Sequence, residues 1–377
     1  MDQENNTLQK LYLFGFSKWK HNFVRSFLKE YDPKQIFFIN PLFFWTPHYR
    51  KAIKKGLDKD SQIFIWGRKE FPEVEEFVKV NNINITRVED GFIRSINLGS
   101  NFTRPYSLVF DNVGIYFDAT KPSRLENLLN SYDFDKRILH EAEQLRKKIL
   151  DSKLSKYNKA SHKKLELPSS RVKILVPGQV EDDASIRYGG NSMANLELLK
   201  QVRQNNPNAY ILFKPHPDVI SGNRIGKLSQ KDALNYCDAV ITNISVSSCL
   251  QEIDEVHTIT SLVGFEGLLH GKKVVTYGMP FYAGWGITDD RISCERRKRK
   301  LTLEELVAGA YILYPKYLCP KTLDFCQPSV LIDELKKQRE KLEQNKLLSF
   351  CKIKFYNYFA KLLHVLTIKT KVTRNRG

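Results

Sequence analysis

Short apolar segments alternate with helical segments along most of this 377-residue chain, and this alternation constrains the fold more than any other feature. The apolar segments are rich in Ile, Leu, Val and Phe, and a polar loop follows each of them, which is typical of strands in a parallel sheet. The segments between them have the periodicity of helices that cover such a sheet. The sequence therefore predicts an α/β fold with two Rossmann-like, doubly wound domains facing each other over a cleft.

The alternation occurs twice, on either side of a polar stretch, Lys153–Arg171. The strands predicted before this stretch are Leu11–Phe16, Gln35–Ile39, Ser61–Trp66, Ile83–Val88, Ser107–Phe110 and Ile115–Phe117. The helices predicted there are Trp19–Glu30, Glu70–Val80, Ser123–Tyr132 and Lys136–Ser152. The strands predicted after it are Val172–Val176, Ala209–Phe213, Ala239–Thr242, His257–Ile259 and Lys273–Tyr277. The helices predicted there are Met193–Asn205, Gln230–Tyr236, Ser247–Glu252, Val263–Leu269 and Thr302–Tyr314.

These series predict one Rossmann-like domain at 1–160, a linker at 161–171, a second Rossmann-like domain at 172–326 and a tail at 327–377. The net charge of +18 is concentrated partly in the tail, where 346–377 contains no acidic residue and mixes Lys and Arg with Phe, Tyr and Leu. Such a segment suits an anionic membrane surface. It is also compatible with a helix packed on the protein or with nucleic acid. We predict a membrane surface and no nucleic acid as partner.

The six cysteines form no CxxC pair and no metal-finger spacing, which predicts a reducing compartment without disulfides. The N-terminal segment is polar and does not have the composition of a signal peptide. No apolar run approaches the ~20 residues of a membrane span. These features predict a cytoplasmic protein.

Ligands of doubly wound sheets bind beyond the carboxyl ends of the strands, so the loops after strands are where a site is expected. The first such loop contains the adjacent carboxylates Glu89 and Asp90. Adjacent carboxylates raise each other's pKa, and one of them can then act as a general acid or base. An ordinary acidic turn is the alternative interpretation.

The second loop, Pro177–Arg187, contains three consecutive carboxylates, Glu181–Asp183. A carboxylate that Arg187 holds ionised, and that points into a cleft, can attack the anomeric carbon of a sugar. Metal binding and a solvated acidic loop are the alternatives. This loop lacks the DxD spacing that holds a nucleotide-bound cation, so we predict no metal.

The third loop begins with Lys214 and places His216 between Pro215 and Pro217, which restrict the backbone on both sides. A rigidly held imidazole with a lysine nearby suits a phosphate oxygen. A histidine in a loop without any special role is the alternative.

A fourth segment predicts a short helix whose first turn can bind an anion. Thr260 and Ser261 lie where the N-cap is expected, and Gly271 lies where the helix should stop. Free backbone amides at a helix start attract phosphate. Gly264 leaves room for a close approach to the backbone, and Glu266 is placed to reach ribose hydroxyls. An ordinary well-capped helix fits the same residues.

Together these segments resemble the capsule-assembly β-Kdo transferases of the KpsC type, where Kdo is the acidic eight-carbon sugar 3-deoxy-manno-octulosonic acid. The matching stretches are Gly15–Lys20, Val88–Ser95, Gly114–Ser123, Leu154–Asn158, Val176–Gly189, Lys214–Val219, Thr260–Gly271 and Tyr277–Asp290. They follow the order of the family over most of 11–325. The chain has the length of one catalytic module and is more similar to the second of the two modules that some members carry.

The resemblance implies a GT-B-like, metal-independent glycosyltransferase that uses CMP-Kdo and needs no other cofactor. It implies that the first domain binds the acceptor, a Kdo-primed, lipid-linked acidic saccharide, and that the second binds the CMP-sugar. It also implies that the protein acts at the inner face of the cytoplasmic membrane. There it can contact other capsule-assembly proteins.

Carried over residue by residue, the resemblance implies that Asp183 forms a covalent adduct with Kdo and that Glu89 or Asp90 is the base. The residues expected to hold the CMP part of the donor are Lys214, His216, Pro217, Thr260, Ser261, Gly264 and Glu266. The residues expected to contact the sugar substrates are Gln179, Arg94, Arg187 and Lys20.

Two other functions are compatible with the sequence. One is a sialyltransferase-like enzyme that uses CMP-neuraminic acid, and the other is a non-catalytic scaffold of polysaccharide export. A scaffold has no use for three acidic or phosphate-binding loops at strand ends, which favours an enzyme.

Overall fold

The computed structural model describes residues 9–40, 47–95, 104–152, 167–220, 224, 226 and 228–344. The strands are β1 (Leu11–Phe14), β2 (Ile36–Ile39), β3 (Gln62–Trp66), β4 (Ile85–Asp90), β5 (Ser107–Asp111), β6 (Lys173–Pro177), β7 (Tyr210–Lys214), β8 (Ala239–Val240), β9 (Glu255–Thr258), β10 (Lys273–Thr276), β11 (Asp289–Asp290) and β12 (Pro315–Tyr317). The α-helices are α1 (His21–Ser26), α2 (His48–Ile53), α3 (Pro72–Val80), α4 (Arg124–Ser131), α5 (Lys136–Ser152), α6 (Ala184–Gly189), α7 (Asn195–Asn205), α8 (Pro217–Ile220), α9 (Gln230–Leu234), α10 (Val246–Glu252), α11 (Leu262–Leu269), α12 (Leu303–Val307) and α13 (Pro328–Gln344).

These strands form two six-stranded sheets. The first has the order β12-β5-β4-β3-β1-β2, in which β4, β3, β1 and β2 are parallel and β5 and β12 are antiparallel to their neighbours. The second has the order β11-β10-β9-β6-β7-β8 and is parallel throughout. The predicted α/β class, with helices alternating with parallel strands, is confirmed.

The central strands are apolar on both faces because helices cover both faces of each sheet. In β1, Leu11 and Leu13 pack into one hydrophobic cluster, and Tyr12 and Phe14 pack into another. Successive side chains of a strand point to opposite faces, so a fully apolar run fills two cores at once. Strand β6 behaves in the same way in the second sheet.

The two sheets share one hydrophobic cluster. Phe92, which follows β4 of the first sheet, lies 4.6 Å from Phe281 between ring centroids, and Phe281 follows β10 of the second sheet. The chain also returns to the first sheet, since β12 pairs with β5 through Pro315 opposite Val109. The two sheets are therefore packed against each other through this shared hydrophobic cluster.

Two predicted elements differ clearly from the structure. Ile115–Phe117 is a turn and not a strand, because Asp111 Oδ1 accepts the N–H groups of Val113 and Gly114 and bends the chain away from the sheet. Strand β5 is instead paired on both sides, by β4 and β12. The helix predicted at Trp19–Glu30 is shorter and consists of a 3-10 turn at Lys18–Lys20 followed by α1.

The predicted helix at Thr302–Tyr314 exists as α12 continued by a π-helical segment, Ala308–Leu313. Most of the predicted linker, 161–166, and the basic part of the tail, 345–377, lie outside the described residues. The domain limits given from the sequence therefore stay a prediction.

Candidate active site

The second sheet has a switch in strand order at β6, which lies between β7 and β9. All three strands are parallel, so the loops that follow them leave the same edge of the sheet side by side. Such a switch point is where doubly wound sheets bind ligands. It brings together the loops after Pro177, Lys214 and Thr258.

Gln179, two residues beyond β6, ties two of these loops together. Its Oε1 accepts the backbone N–H of Thr260 at 2.9 Å and the hydroxyl of Thr258 at 3.3 Å, and its Nε2 donates to Thr260 Oγ1 at 3.0 Å. Asn195 Nδ2 donates to the backbone carbonyl of Gln179 at 2.8 Å, and Asn195 Oδ1 accepts the backbone N–H of Gln179 at 2.8 Å. Gln179 is buried, so little water competes for these bonds.

Asp183 is the N-cap of α6. Its Oδ1 accepts the backbone N–H of Ser185 at 2.9 Å and the Ser185 hydroxyl at 2.8 Å. Aspartate is a preferred N-cap, and its charge is favourable at the positive end of a helix. Oδ2 forms no hydrogen bond with any described residue, so the turn fixes the carboxylate through one oxygen only.

The neighbouring carboxylates do not converge on a common partner. Glu181 Oε1 accepts the first backbone N–H of α7 at 2.8 Å, and Asp182 pairs with Arg224 at 3.2 Å on the surface. The expected pairing of Arg187 with one of these carboxylates is not found. Arg187 is exposed and forms no ion pair with the described carboxylates.

His216 lies at the start of the loop after β7. Its Nδ1 accepts the backbone N–H of Asp218 at 3.1 Å, so the neutral ring carries its proton on Nε2. Pro217 is the first residue of α8, a position that suits proline because the N–H it lacks would have no partner within the helix. Lys214 differs from the prediction: its Nζ donates to the carbonyl of Ile244 at 2.6 Å, and burial lowers its pKa. Its ammonium is thus directed to the protein interior and not to a phosphate site.

The helix predicted after Thr260 is confirmed as α11, with Ser261 as N-cap. Ser261 Oγ accepts the N–H of Val263 at 3.2 Å. Gly271 ends the helix with a φ of +70°, a conformation that favours glycine. The predicted helix start is therefore formed at the edge of the sheet, and anion binding by its first amides stays a prediction.

Two residues of α11 have surroundings that the sequence did not predict. The space beside Gly264 is filled by the Tyr282 hydroxyl, which a Cβ at this position would strike. Internal packing and not a ligand therefore requires glycine there. Glu266 is half-buried in the middle of the helix.

The first sheet contributes the end of β4. Asp90 Oδ2 accepts the Arg94 Nε–H at 2.7 Å, and Glu89 Oε1 accepts the backbone N–H of Asp90 at 2.9 Å. The side chain of Arg94 is only 5% exposed, so this ion pair is shielded from water. Asp90 Oδ1 is buried and has no hydrogen-bond partner among the described residues. A hydroxyl donor from a bound substrate would satisfy that oxygen.

These loops surround a cavity of about 420 Å³. The sequence-predicted residues that line it are Lys20, Glu89, Asp90, Arg94, Gln179, Asp183, His216, Thr260 and Ser261. The predicted residues that do not line it are Arg187, Lys214, Pro217, Gly264 and Glu266. The cavity thus joins the carboxylate of Asp183 and the imidazole of His216 from the second sheet with Glu89 and Asp90 of the first.

Sequence reasoning missed several residues that line this cavity, among them Ser185, Asp218 and Tyr116. An Asp followed two residues later by Ser, before a helix, is a capping pattern, and it would have identified Ser185. Tyr116 was hidden within the strand predicted wrongly at 115–117. Asp218 acts through its backbone N–H, which no sequence pattern reveals.

The described residues contain no group of three or more His, Cys, Asp or Glu side chains arranged to hold a metal ion. Among the helices in the described ranges, none combines the length and the apolar character that crossing a bilayer requires.

The fold and the cavity define an α/β protein with a ligand site at the strand ends of two parallel-rich sheets. The sequence model of a family described as capsule polysaccharide biosynthesis protein matches residues 61–317. Because the match covers well over half of the chain, this protein belongs to the capsule polysaccharide biosynthesis protein family.

Two relatives of known name share much of this sequence. Capsule polysaccharide modification protein LipA of Neisseria meningitidis is 45% identical over 322 residues, which are 85% of this chain and 44% of that protein. Lipopolysaccharide-processing protein LpsZ of Rhizobium meliloti is 37% identical over 311 residues, which are 81% of this chain and 69% of that protein. The chain therefore spans less than half the length of the Neisseria relative.

Two solved structures have the same fold, and both are of KpsC from Thermosulfurimonas dismutans. The chain described as beta Kdo 2,7 transferase is 37% identical with a TM-score of 0.70, and the match covers 88% of this chain and 100% of that one. The chain described as beta Kdo 2,4 transferase is 33% identical with a TM-score of 0.74, and the match covers 88% and 99%. The resemblance to KpsC-type proteins predicted from sequence motifs is confirmed.

Proposed function

We propose that this protein is a retaining β-Kdo glycosyltransferase that moves Kdo from CMP-Kdo to a Kdo-primed glycolipid in capsule polysaccharide biosynthesis. One observation carries the proposal: Asp183 and His216 line the same cavity as Glu89 and Asp90. The similarity to two Kdo transferase chains, at 37% and 33% identity over essentially their full length, supports this choice of sugar.

In the proposed first step, Asp183 Oδ2 attacks the anomeric carbon of Kdo. A bond forms between these two atoms while the bond from the anomeric carbon to the phosphate oxygen breaks, and CMP leaves with the electron pair. The Nε2–H of His216 and the amides at the Ser261 end of α11 stabilise the departing phosphate. Ser185 fixes the attacking carboxylate in advance, which lowers the cost of alignment.

In the proposed second step, a hydroxyl of the acceptor attacks the anomeric carbon from the face opposite Asp183. The bond to Asp183 breaks, and Glu89 or Asp90 takes the proton of the hydroxyl. Two successive inversions retain the configuration of the donor. The paired carboxylates come from β4 of the first sheet, and the attacker follows β6 of the second, as two opposed displacements require.

The remaining parts of the proposal concern architecture and partners. We propose a GT-B-like arrangement in which the first sheet carries the acceptor side and the second sheet carries the CMP-sugar side, with no metal and no other cofactor. We also propose that the basic tail, 346–377, contacts an anionic membrane surface at the inner face of the cytoplasmic membrane. There the protein would meet its lipid-linked acceptor and other capsule-assembly proteins.

The test is to incubate the purified protein with CMP-Kdo and a synthetic Kdo-primed glycolipid, with and without EDTA. We expect CMP release and a product one Kdo longer by mass spectrometry, unaffected by EDTA and β-linked by NMR. Absence of both CMP release and product over a panel of acceptors would contradict the proposal. Preferential use of CMP-neuraminic acid in a competition assay would instead identify a sialyltransferase.

Flotation tests the membrane part separately. The full chain should float with vesicles that contain anionic lipid and remain at the bottom with purely zwitterionic vesicles. Equal behaviour with both vesicle types would remove the anionic surface from the proposal while leaving the chemistry intact.

A further inference from the structure

One cation in the cavity is held by ring contacts and not by an anionic partner. Lys20 Nζ lies 3.0 Å from the centroid of the Trp66 ring and 5.4 Å from that of Trp19. An ammonium has three N–H donors. The Lys20 ammonium nevertheless forms no hydrogen bond or ion pair with any described residue, although the residue lines the cavity. Its donors are thus available to a ligand.

Burial lowers the pKa of Lys20, and the carboxylates of Asp90 and Glu89 oppose this effect. The cations of Arg94 and Lys69 also act on Lys20. Arg94 already binds Asp90 at 2.7 Å, and Lys69 Nζ donates to a backbone carbonyl. With Lys20 itself, three cations face two carboxylates, so this corner of the cavity has a positive balance that suits an anion.

The position of Lys20 in the fold indicates which substrate it meets. Lys20 follows β1, Trp66 ends β3, and Glu89 and Asp90 end β4, and these strands are neighbours in the order β4-β3-β1. All four residues therefore lie at one edge of the first sheet. The attacker Asp183 follows β6 of the second sheet. Since Glu89 or Asp90 takes the proton of the acceptor hydroxyl in the proposed reaction, the groups beside them face the acceptor.

We infer that Lys20 binds the carboxylate of the terminal acidic sugar of the acceptor and makes the site selective for an acidic saccharide. The inference rests on the proposed function, in which the acceptor ends in Kdo. The indole of Trp66 supports the ammonium and restricts its motion, so little side-chain freedom is lost when the carboxylate arrives. The donor is held by groups of the second sheet and does not depend on Lys20.

The test compares two synthetic acceptors, a terminal Kdo glycoside with a free carboxylate and the same glycoside as its carboxamide. Binding of each acceptor by calorimetry and transfer from CMP-Kdo are both measured. The wild-type protein should bind the acid at least about tenfold more tightly than the amide, as a charge-assisted hydrogen bond provides. In Lys20→Met most of that preference should disappear, seen as a higher KM for the acid. Circular dichroism and urea unfolding show whether Lys20→Met is folded.

Two further variants sharpen the result. Lys18→Met removes an exposed charge from the same 3-10 turn and should keep the full preference for the acid. Lys20→Arg retains a cation and should keep part of it. If Lys20→Met weakens the binding of acid and amide equally, Lys20 does not recognise the acceptor carboxylate.

The inference and the proposed function fail in different ways. A wild-type protein that transfers Kdo but binds acid and amide equally overturns the role of Lys20 alone. The other case is that the wild-type protein binds the acid more tightly, Lys20→Met loses this preference, and no Kdo transfer is seen. That result overturns the proposed reaction alone.

Discussion

The side chain of Gln179 binds Thr260 twice, since its Oε1 accepts the backbone N–H at 2.9 Å and its Nε2 donates to the hydroxyl at 3.0 Å. Both residues are buried. Gln179 belongs to the loop that carries the proposed attacker Asp183, and Thr260 belongs to the loop that begins α11. One amide group therefore fixes the spacing between the proposed attacker and the proposed phosphate site.

Replacing Gln179 by Ala should disturb both stability and donor binding. The loss of these buried hydrogen bonds should cost about 1–3 kcal/mol in urea unfolding, because the Thr260 N–H is left without its acceptor. Affinity for CMP, measured by calorimetry, should fall about tenfold. Gln201→Ala is the matched control, since Gln201 bonds Glu197 on the surface of α7. An unchanged CMP affinity in Gln179→Ala would show that the loops are positioned independently.

Asp183→Asn should abolish transfer and leave donor binding intact. The amide keeps the shape of the side chain but is not nucleophilic, so we expect a loss of at least about 1000-fold in kcat. CMP affinity should stay within about twofold, since the proposed phosphate contacts are made by other residues. Intact mass spectrometry after addition of CMP-Kdo should detect an adduct in Glu89→Gln that is absent when Asp183→Asn is added. Substantial transfer by Asp183→Asn would remove Asp183 from the role of attacker.

Ser185 should act as a positioning residue for Asp183. Its hydroxyl lies 2.8 Å from Asp183 Oδ1 and 3.4 Å from Thr260 Oγ1. Ser185→Ala should lower kcat about tenfold with little change in the KM for CMP-Kdo, because alignment and not binding is lost. Ser185→Thr keeps the hydroxyl and should restore most of the rate. A rise in KM without a change in kcat would indicate that Ser185 contacts the donor instead.

The sequence predicted those features of the fold that depend on neighbouring residues. Strands such as β1 are continuous apolar runs, and the cap of α11 combines Ser261 with Gly271 at the other end. In each case the local pattern and the tertiary environment favour the same structure. The placement of the site at strand ends follows from the parallel sheet itself, which is why Asp183 and His216 could be selected without a structure.

The features that were predicted wrongly depend on distant residues. Lys214 bonds a carbonyl thirty positions further along, at Ile244, and the room beside Gly264 is occupied by Tyr282. A local pattern carries no information about such contacts, because the partner is brought close only by the folded chain.

A buried ion cluster should contribute strongly to stability. Glu126 Oε1 pairs with Arg296 at 2.7 Å and Oε2 with Arg297 at 3.0 Å, and the side chains of Glu126 and Arg297 are 4% and 3% exposed. Glu126→Ala leaves a buried guanidinium without its anion, so we expect a loss of about 3–5 kcal/mol in urea unfolding. Glu143→Ala, which breaks a largely exposed pair with Lys147, should change stability far less, because water screens such a pair. Similar losses in both variants would show that backbone carbonyls alone satisfy Arg297.

Stability should decrease as the pH falls from 7 towards 5.5, in part because of His257. His257 is 1% exposed, and this burial lowers its pKa. Its side chain forms a hydrogen bond of 3.0 Å with Glu255, which opposes the shift only in part. Below about pH 6.5, His257 binds a proton in the unfolded chain but not in the folded chain. The free energy of unfolding therefore decreases as the pH decreases.

Burial also lowers the pKa of His21, His48 and His270, which adds to this slope with the same sign. His257→Gln should therefore flatten the dependence without abolishing it. Urea unfolding at pH 7.0, 6.0 and 5.5 measures the slope. A slope equal to that of the wild type would mean that His257 binds protons equally in the folded and unfolded states.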